Sequence, residues 1–206
     1  MTSSSIVVHG IALSGHTHRV RNFLSLLGLP YRLAEAPAAL RKTPAFLALN
    51  PLGQIPVLED GDIVLADSNA ILVYLAKRYG AAWLPEEPVA AAHVQRWLSI
   101  AAGEMRFGPA TARAKLLWGA PGVLADCHAN AARLLGFMEH HLTDRSFLAA
   151  ARPTIADVTA YSYTARAPEG RISLADFPHI RAWLARVEAL PGFLAMPESA
   201  IPDQEQ

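Results

Sequence analysis

Along the first half of the chain, short runs of consecutive apolar residues alternate with stretches whose apolar positions recur every three or four residues. After about residue 88 only the second pattern persists, broken by Pro and Gly. Residues 6–9 form an apolar run suited to a buried strand. Residues 17–29 then set Val20, Phe23, Leu24 and Leu27 on one helical face, and Gly28 and Pro30 stop the helix. Residues 31–34 predict a second strand and Pro44–Leu49 a short helix. Residues 55–58 and 63–65 predict a hairpin turned by Asp60-Gly61-Asp62, and Ser68–Tyr79 predicts a helix that ends at Gly80.

The order βαβ, a short helix, then ββα matches the thioredoxin-like arrangement, a mixed sheet with one antiparallel hairpin. Residues 81–88, with Pro85 and Pro88, read as a linker. Beyond them Val94, Trp97, Leu98, Ala101 and Met105 form one helical stripe, Cys127, Ala131, Leu134, Leu135 and Met138 a second, and Ile180, Trp183, Leu184 and Val187 a third. The fold class is therefore α/β plus all-α: a thioredoxin-like βαβ-ββα domain over residues 1–80, followed by a C-terminal helical bundle over residues 88–206.

A length of 206 residues accommodates two unequal units, and with 52% hydrophobic against 17% charged residues the chain lies in the globular class. Eighteen basic residues balance eighteen acidic ones, so no long-range attraction points to nucleic acid or to an anionic membrane. No apolar stretch approaches the ~20 residues needed to cross a bilayer. The start, Met1-Thr2-Ser3-Ser4-Ser5, shows no export signal. A single cysteine, Cys127, forms no internal disulfide, which points to a reducing cytoplasm; its place in an apolar stripe predicts a packed core thiol.

Chemistry gathers at three helix or strand starts. Pro56 opens a strand, where it cannot donate to the ladder and can shape the turn before it. Asp67 and Ser68 begin a helix, where they act as an ordinary cap pair, or where the Ser68 hydroxyl and the first amides hold an anion while Asp67 meets a cation or caps the helix. The first helix begins at Ser14-Gly15-His16-Thr17-His18-Arg19, the position where a helix N-terminus lowers a thiol pKa; no cysteine is present there, which excludes cysteine-based disulfide exchange at that point. His16 and His18 have no third ligand nearby, so no metal is expected; His16 is a minor candidate for direct catalysis and His18 reads as a surface residue. Pro153-Thr154-Ile155-Ala156-Asp157 forms a capping box for a later helix.

The run Asn50-Pro51-Leu52-Gly53-Gln54-Ile55-Pro56-Val57-Leu58, followed by Ala66-Asp67-Ser68-Asn69-Ala70-Ile71, resembles the cytosolic glutathione transferase superfamily, and the resemblance extends from Ile6 to about Phe193. It implies a glutathione S-transferase with glutathione as co-substrate and no metal. The bond before Pro56 would be cis and Ile55 would pair with the cysteinyl backbone of glutathione, with Gln54 beside it. Asp67 and Ser68 would hold the γ-glutamyl end, and Arg41 or Lys42 the glycyl carboxylate. Ser14 matches the serine-type position whose hydroxyl stabilises the thiolate, with Thr17 as the fallback. Met105, Phe107 and Trp118 are candidates to line the pocket for a small hydrophobic electrophile, in a helical domain that helps to shape that site. A cytoplasmic homodimer acting in detoxification is also implied. The isomerase branch acting on maleylacetoacetate shows Ser-Ser-Cys and a tryptophan where this chain has Ser14-Gly15-His16 and His18, which argues against it. A glutathione-dependent disulfide reductase or peroxidase, and a non-catalytic glutathione carrier or interaction module, remain alternatives.

Overall fold

The structure, a computed structural model, describes residues 6–199; the start, residues 1–5, on which the expectation of no export signal rests, lies outside the described residues. The chain divides into two compact units. One takes in the chain up to Leu84 together with Leu190–Pro197, and the other runs from Pro85 to Ala189 and resumes at Glu198.

The first unit is built on a four-stranded mixed sheet of order β2-β1-β3-β4. Strand β1 (Ile6–Gly10) runs parallel to β2 (Tyr31–Glu35) and antiparallel to β3 (Val57–Asp60), which turns back into β4 (Ile63–Ala66). The successive apolar residues Ile6, Val7 and Val8 are all buried, as a central strand covered on both faces requires. The first strand of the hairpin lies two residues later than its apolar run suggests, while the second begins at Ile63 as expected. Pro56 cannot join the ladder, so pairing begins at Val57, opposite His9 and Ala66, and extends through Asp60 opposite Ile63. Only Gly61 and Asp62 remain for the turn, with Gly61 at φ +62°.

Asp60, expected in that turn, is a buried anchor instead: its Oδ2 accepts hydrogen bonds from Tyr74 (2.8 Å) and Tyr79 (2.5 Å) on helix α3, Ser68–Tyr79. Burial, reinforced by the Asp60 carboxylate, pushes the Tyr74 phenol up to about 12. Asp60→Ala deprives both hydroxyls of their acceptor and is expected to cost about 2 kcal/mol in denaturant unfolding. A loss below about 0.5 kcal/mol would refute the anchoring role.

Helix α1 (Gly15–Leu26) begins two residues before its apolar periodicity because Ser14 caps it, the Oγ accepting from Thr17 N–H at 3.2 Å. It ends where Gly28 adopts φ +66° and the Gly28 and Leu29 amides reach back to Ser25 and Leu24. His18 is not a surface residue. It is fully buried and donates from Nε2 to the Leu194 carbonyl at 2.8 Å, while the Leu194 amide donates to Asn22 Oδ1 at 2.9 Å. Leu194 in the returning segment is thus held by α1 through both its amide and its carbonyl. Gly192, at φ +82°, permits the approach: a β-carbon there would lie 2.7 Å from the Ser25 carbonyl.

The second unit is helical. Glu87 caps α4 (Pro88–Ile100) through two backbone amides, and the rod continues as a wider-wound π-helical stretch, Ala101–Ala110, into α5 (Thr111–Trp118). The stretch kinks at Gly108, where a β-carbon would come within 3.0 Å of the Ala131 amide on α6, Leu124–His141. Every position of the three expected stripes is buried, Cys127 included. Helix α7 (Ile155–Ala165) is buried almost all round and α8 (Pro178–Glu188) closes the unit.

Thr154 and Asp157 form the expected capping box at the start of α7. Thr154 Oγ1 accepts from Ala156 N–H, and Asp157 Oδ2 returns to Thr154 N–H at 2.9 Å. The other carboxylate oxygen, Oδ1, accepts from Leu148 N–H and Trp183 Nε1–H, both at 2.9 Å. Burial pushes the Asp157 carboxyl up against the opposing pull of these donors.

Leu148 is also an acceptor, its carbonyl receiving Trp97 Nε1–H at 2.9 Å and His141 Nε2–H at 2.8 Å. Burial, helped by the Arg145 and Arg96 guanidinium groups, pushes His141 below the ordinary imidazole value of 6.5. The folded state therefore binds fewer protons, and this contribution is present in full above pH 6.5 and is lost as pH falls toward the lower folded-state value. Between about pH 8 and about pH 5.5, wild type is expected to lose more stability than His141→Gln, which keeps a donor without titrating. Parallel pH profiles of unfolding free energy for the two proteins would count against this.

Candidate active site

The N-terminus of α1 and the N-terminus of α3 meet at a single hydroxyl. Ser68 is buried, and its Oγ accepts from Arg19 Nη1 at 3.1 Å and pairs with His16 Nδ1 at 3.2 Å. Arg19 Nη1 also donates to Asn69 Oδ1 at 2.9 Å. Arg19 lies on the buried face of α1, with Thr17, Val20, Phe23 and Leu24. A guanidinium only 1% exposed must be paired, and that requirement is the signal that an acceptor cluster lies opposite.

Asp67 precedes this cluster with a backbone that non-glycine residues seldom adopt, φ +72° and ψ 119°. Its side chain stabilises that geometry, Oδ1 accepting from Asn69 N–H (2.9 Å) and Ala70 N–H (3.0 Å). Both cap bonds use one oxygen, so Oδ2 remains for a cation. The expected cap and the expected ligand contact are compatible in one residue.

The Ile55–Pro56 peptide is cis, and Ile55 lies ahead of the β3 ladder, half-buried, with Gln54 exposed before it. The Gln54 carbonyl is held by Asn50 Nδ2 at 2.8 Å, which fixes the approach to this strand. Arg41 is half-buried and Lys42 exposed, both in the turn Leu40–Lys42 before α2, Pro44–Leu49. The Arg41 carbonyl passes 3.1 Å from where a β-carbon on Gly53 would sit, and Gly53 has φ +61°.

At the head of α1, Ser14 is half-buried; its Oγ is an acceptor for the helix, so the hydroxyl hydrogen is not used by the cap. Thr17 is fully buried against Gly10, where a β-carbon would lie 2.4 Å from the Thr17 side chain. Between the two hydroxyls, only that of Ser14 is open to a ligand in this conformation.

In the helical unit Met105 is fully buried, whereas Phe107 is 58% and Trp118 49% exposed. Each exposed ring carries a guanidinium over its face, Arg106 on Phe107 and Arg113 on Trp118. A cavity of about 330 Å³ in this unit is lined by Arg96, Ile100, Glu104, Arg133, Leu134 and Phe137, and so by none of these three. Among the described residues no group of three or more His, Cys, Asp or Glu side chains is arranged to hold a metal ion, and no helix is long and apolar enough to cross a membrane.

Two family models match the chain: "Glutathione S-transferase, N-terminal domain" over residues 13–78 and "Glutathione S-transferase, C-terminal domain" over residues 123–191. Glutathione S-transferase 3 of Zea mays is 34% identical over 203 residues, covering 90% of each chain. A solved glutathione S-transferase of Pseudomonas fluorescens Pf-5 superposes with a TM-score of 0.88 at 34% identity, covering 94% of this chain and 99% of that one. The theta class enzyme of Xanthomonas axonopodis pv. citri, solved with glutathione bound, gives a TM-score of 0.84 at 27% identity over 96% of this chain and 99% of that one.

Proposed function

Since the chain belongs to the cytosolic glutathione S-transferase superfamily and is an enzyme of that class, we propose that it binds glutathione on its first unit as the thiolate and adds it to an electrophilic carbon of a small apolar compound. The observation that carries this reading is the pair of helix starts at one corner. The half-buried Ser14 hydroxyl heads α1, and Ser68 heads α3, tied to α1 through His16 and Arg19. A thiolate beside Ser14 gains a hydrogen bond and the positive end of the α1 dipole. The γ-glutamyl carboxylate gains the amides and hydroxyl at the head of α3, and Asp67 Oδ2 meets the ammonium group. The Ile55 backbone pairs with the cysteinyl unit, beside Gln54, and Arg41 or Lys42 offers its charge to the glycyl carboxylate.

In the reaction the thiolate sulfur forms the new carbon–sulfur bond while the leaving group departs with the electron pair, or the electrons pass into an activated double bond that is then protonated by water. No protein nucleophile and no metal takes part. The direct test is thiolate absorbance of the enzyme–glutathione complex over pH: an ionisation midpoint no lower than that of free glutathione would refute the mechanism. Conjugation and disulfide reduction measured on one preparation separate the transferase from a reductase.

The reducing cytoplasm is the compartment proposed, on the strength of the buried, unpaired Cys127, and detoxification is the proposed role. A two-fold homodimer is the proposed assembly. Sedimentation at micromolar concentration is expected to give twice the 22.2 kDa chain mass, and a monomer would overturn the assignment.

A further inference from the structure

The Ser68 hydroxyl has one hydrogen and two lone pairs, and the hydrogen's direction depends on the histidine beside it. Arg19 Nη1 occupies one lone pair, at 3.1 Å. The contact to His16 Nδ1, at 3.2 Å, takes either polarity. With a neutral ring protonated only at Nε2, Nδ1 accepts, Ser68 must donate to it, and the hydroxyl presents only lone-pair density to a ligand. A carboxylate is repelled by that arrangement. With a proton on Nδ1 the ring donates instead, both lone pairs of Ser68 are filled, and its hydrogen turns outward to an anion.

We propose that His16 is a proton-linked positioning residue for the α-carboxylate of the γ-glutamyl group: occupancy of the site draws a proton from solvent onto the imidazole, and the imidazolium holds Ser68 as a donor. This inference rests on the glutathione reading given above. The neutral tautomer protonated at Nδ1 also orients Ser68, but only the imidazolium adds a positive charge near the incoming carboxylate. Charged groups at this corner include Arg19 on α1, which disfavours the imidazolium, and Asp67 at the head of α3, which favours it. His18, on the same helix, is turned to the Leu194 carbonyl. Linkage then requires that binding and protonation strengthen each other equally.

The experiment is calorimetric titration with S-methylglutathione, whose blocked thiol removes sulfur ionisation from the proton balance. At about pH 7 in phosphate and in Tris, whose ionisation enthalpies differ widely, wild type is expected to show a buffer-dependent enthalpy equivalent to uptake of roughly half a proton. Its Kd is expected to rise about fivefold between about pH 6 and about pH 8. His16→Asn keeps a polar side chain next to Ser68 but cannot titrate, and should bind with buffer-independent enthalpy and a flat pH profile. His16→Gln serves the same purpose if the Asn variant does not fold. Proton uptake that survives in these variants, or is missing from wild type, overturns the inference while leaving glutathione binding in place. Failure of wild type to bind S-methylglutathione at any pH overturns the glutathione reading and the inference together.

Discussion

Ser14→Ala is expected to lower kcat/KM for glutathione conjugation by about 10²-fold at pH 6.5, and by much less above about pH 9. The asymmetry follows from the proposed role. An ordinary cysteine thiol ionises near about 8.5, so at pH 6.5 only about one molecule in a hundred is a thiolate without help. A hydrogen bond from Ser14 to sulfur, with the α1 amides behind it, lowers that value by about two units, and one unit corresponds to about 1.4 kcal/mol. Once pH alone ionises the thiol, the hydroxyl has little left to add.

Two further variants separate this effect from the helix cap, because Ser14 Oγ also accepts from Thr17 N–H. Ser14→Thr keeps both functions and should retain activity within about tenfold. Ser14→Asp keeps the cap but replaces the donor by a negative charge, and should fall at least as far as Ala while unfolding at nearly the wild-type temperature. Equal activity of wild type and Ser14→Ala at pH 6.5 would eliminate Ser14 as the thiolate partner.

The largest effect on stability is expected at Asp157. Its carboxylate accepts from three buried N–H groups, those of Leu148, Thr154 and Trp183, on segments otherwise separate in sequence. Asp157→Ala leaves all three without an acceptor. At about 1–3 kcal/mol for each orphaned donor, with some relief from water entry, the expected loss is about 3–5 kcal/mol. That is a large share of the 5–15 kcal/mol typical of a folded domain, and it should lower Tm by about 10–15 °C. Asp157→Asn keeps one oxygen but turns an amide toward a donor, and should lose about 2 kcal/mol. A double-mutant cycle with Trp183→Phe isolates the Trp183 bond; an Asp157→Ala loss under about 1 kcal/mol would refute the network account.

Periodicity made the strands and helices legible because it reports which side of an element is buried. It says less about what does the burying. His18 is polar, so its type suggested solvent, yet it lies with Arg19 on the covered face of α1. Their partners, the Leu194 carbonyl and the Ser68–Asn69 pair, are 176 and about 50 residues away and leave no local trace. Asp60 shows the same limit: Asp-Gly-Asp is a turn signal, but the two tyrosine hydroxyls that bury the first aspartate come from α3. Motifs with local chemistry fared better. The Thr154–Asp157 box and the helix start at Asp67-Ser68 are spelled by neighbours in sequence, and the structure contains both. The wider-wound stretch Ala101–Ala110 had no such spelling, since its bend depends on Gly108 meeting Ala131.

The grip of α1 on Leu194 has a consequence for the order in which the protein is made. His18 and Asn22 leave the ribosome early, but the peptide that satisfies them follows only after the 105 residues Pro85–Ala189 have been translated. At about 5–20 residues per second that is a delay of roughly 5–20 s, during which the buried face of α1 lacks part of its cover. The first unit therefore waits for most of the second to be translated before its own fold can close.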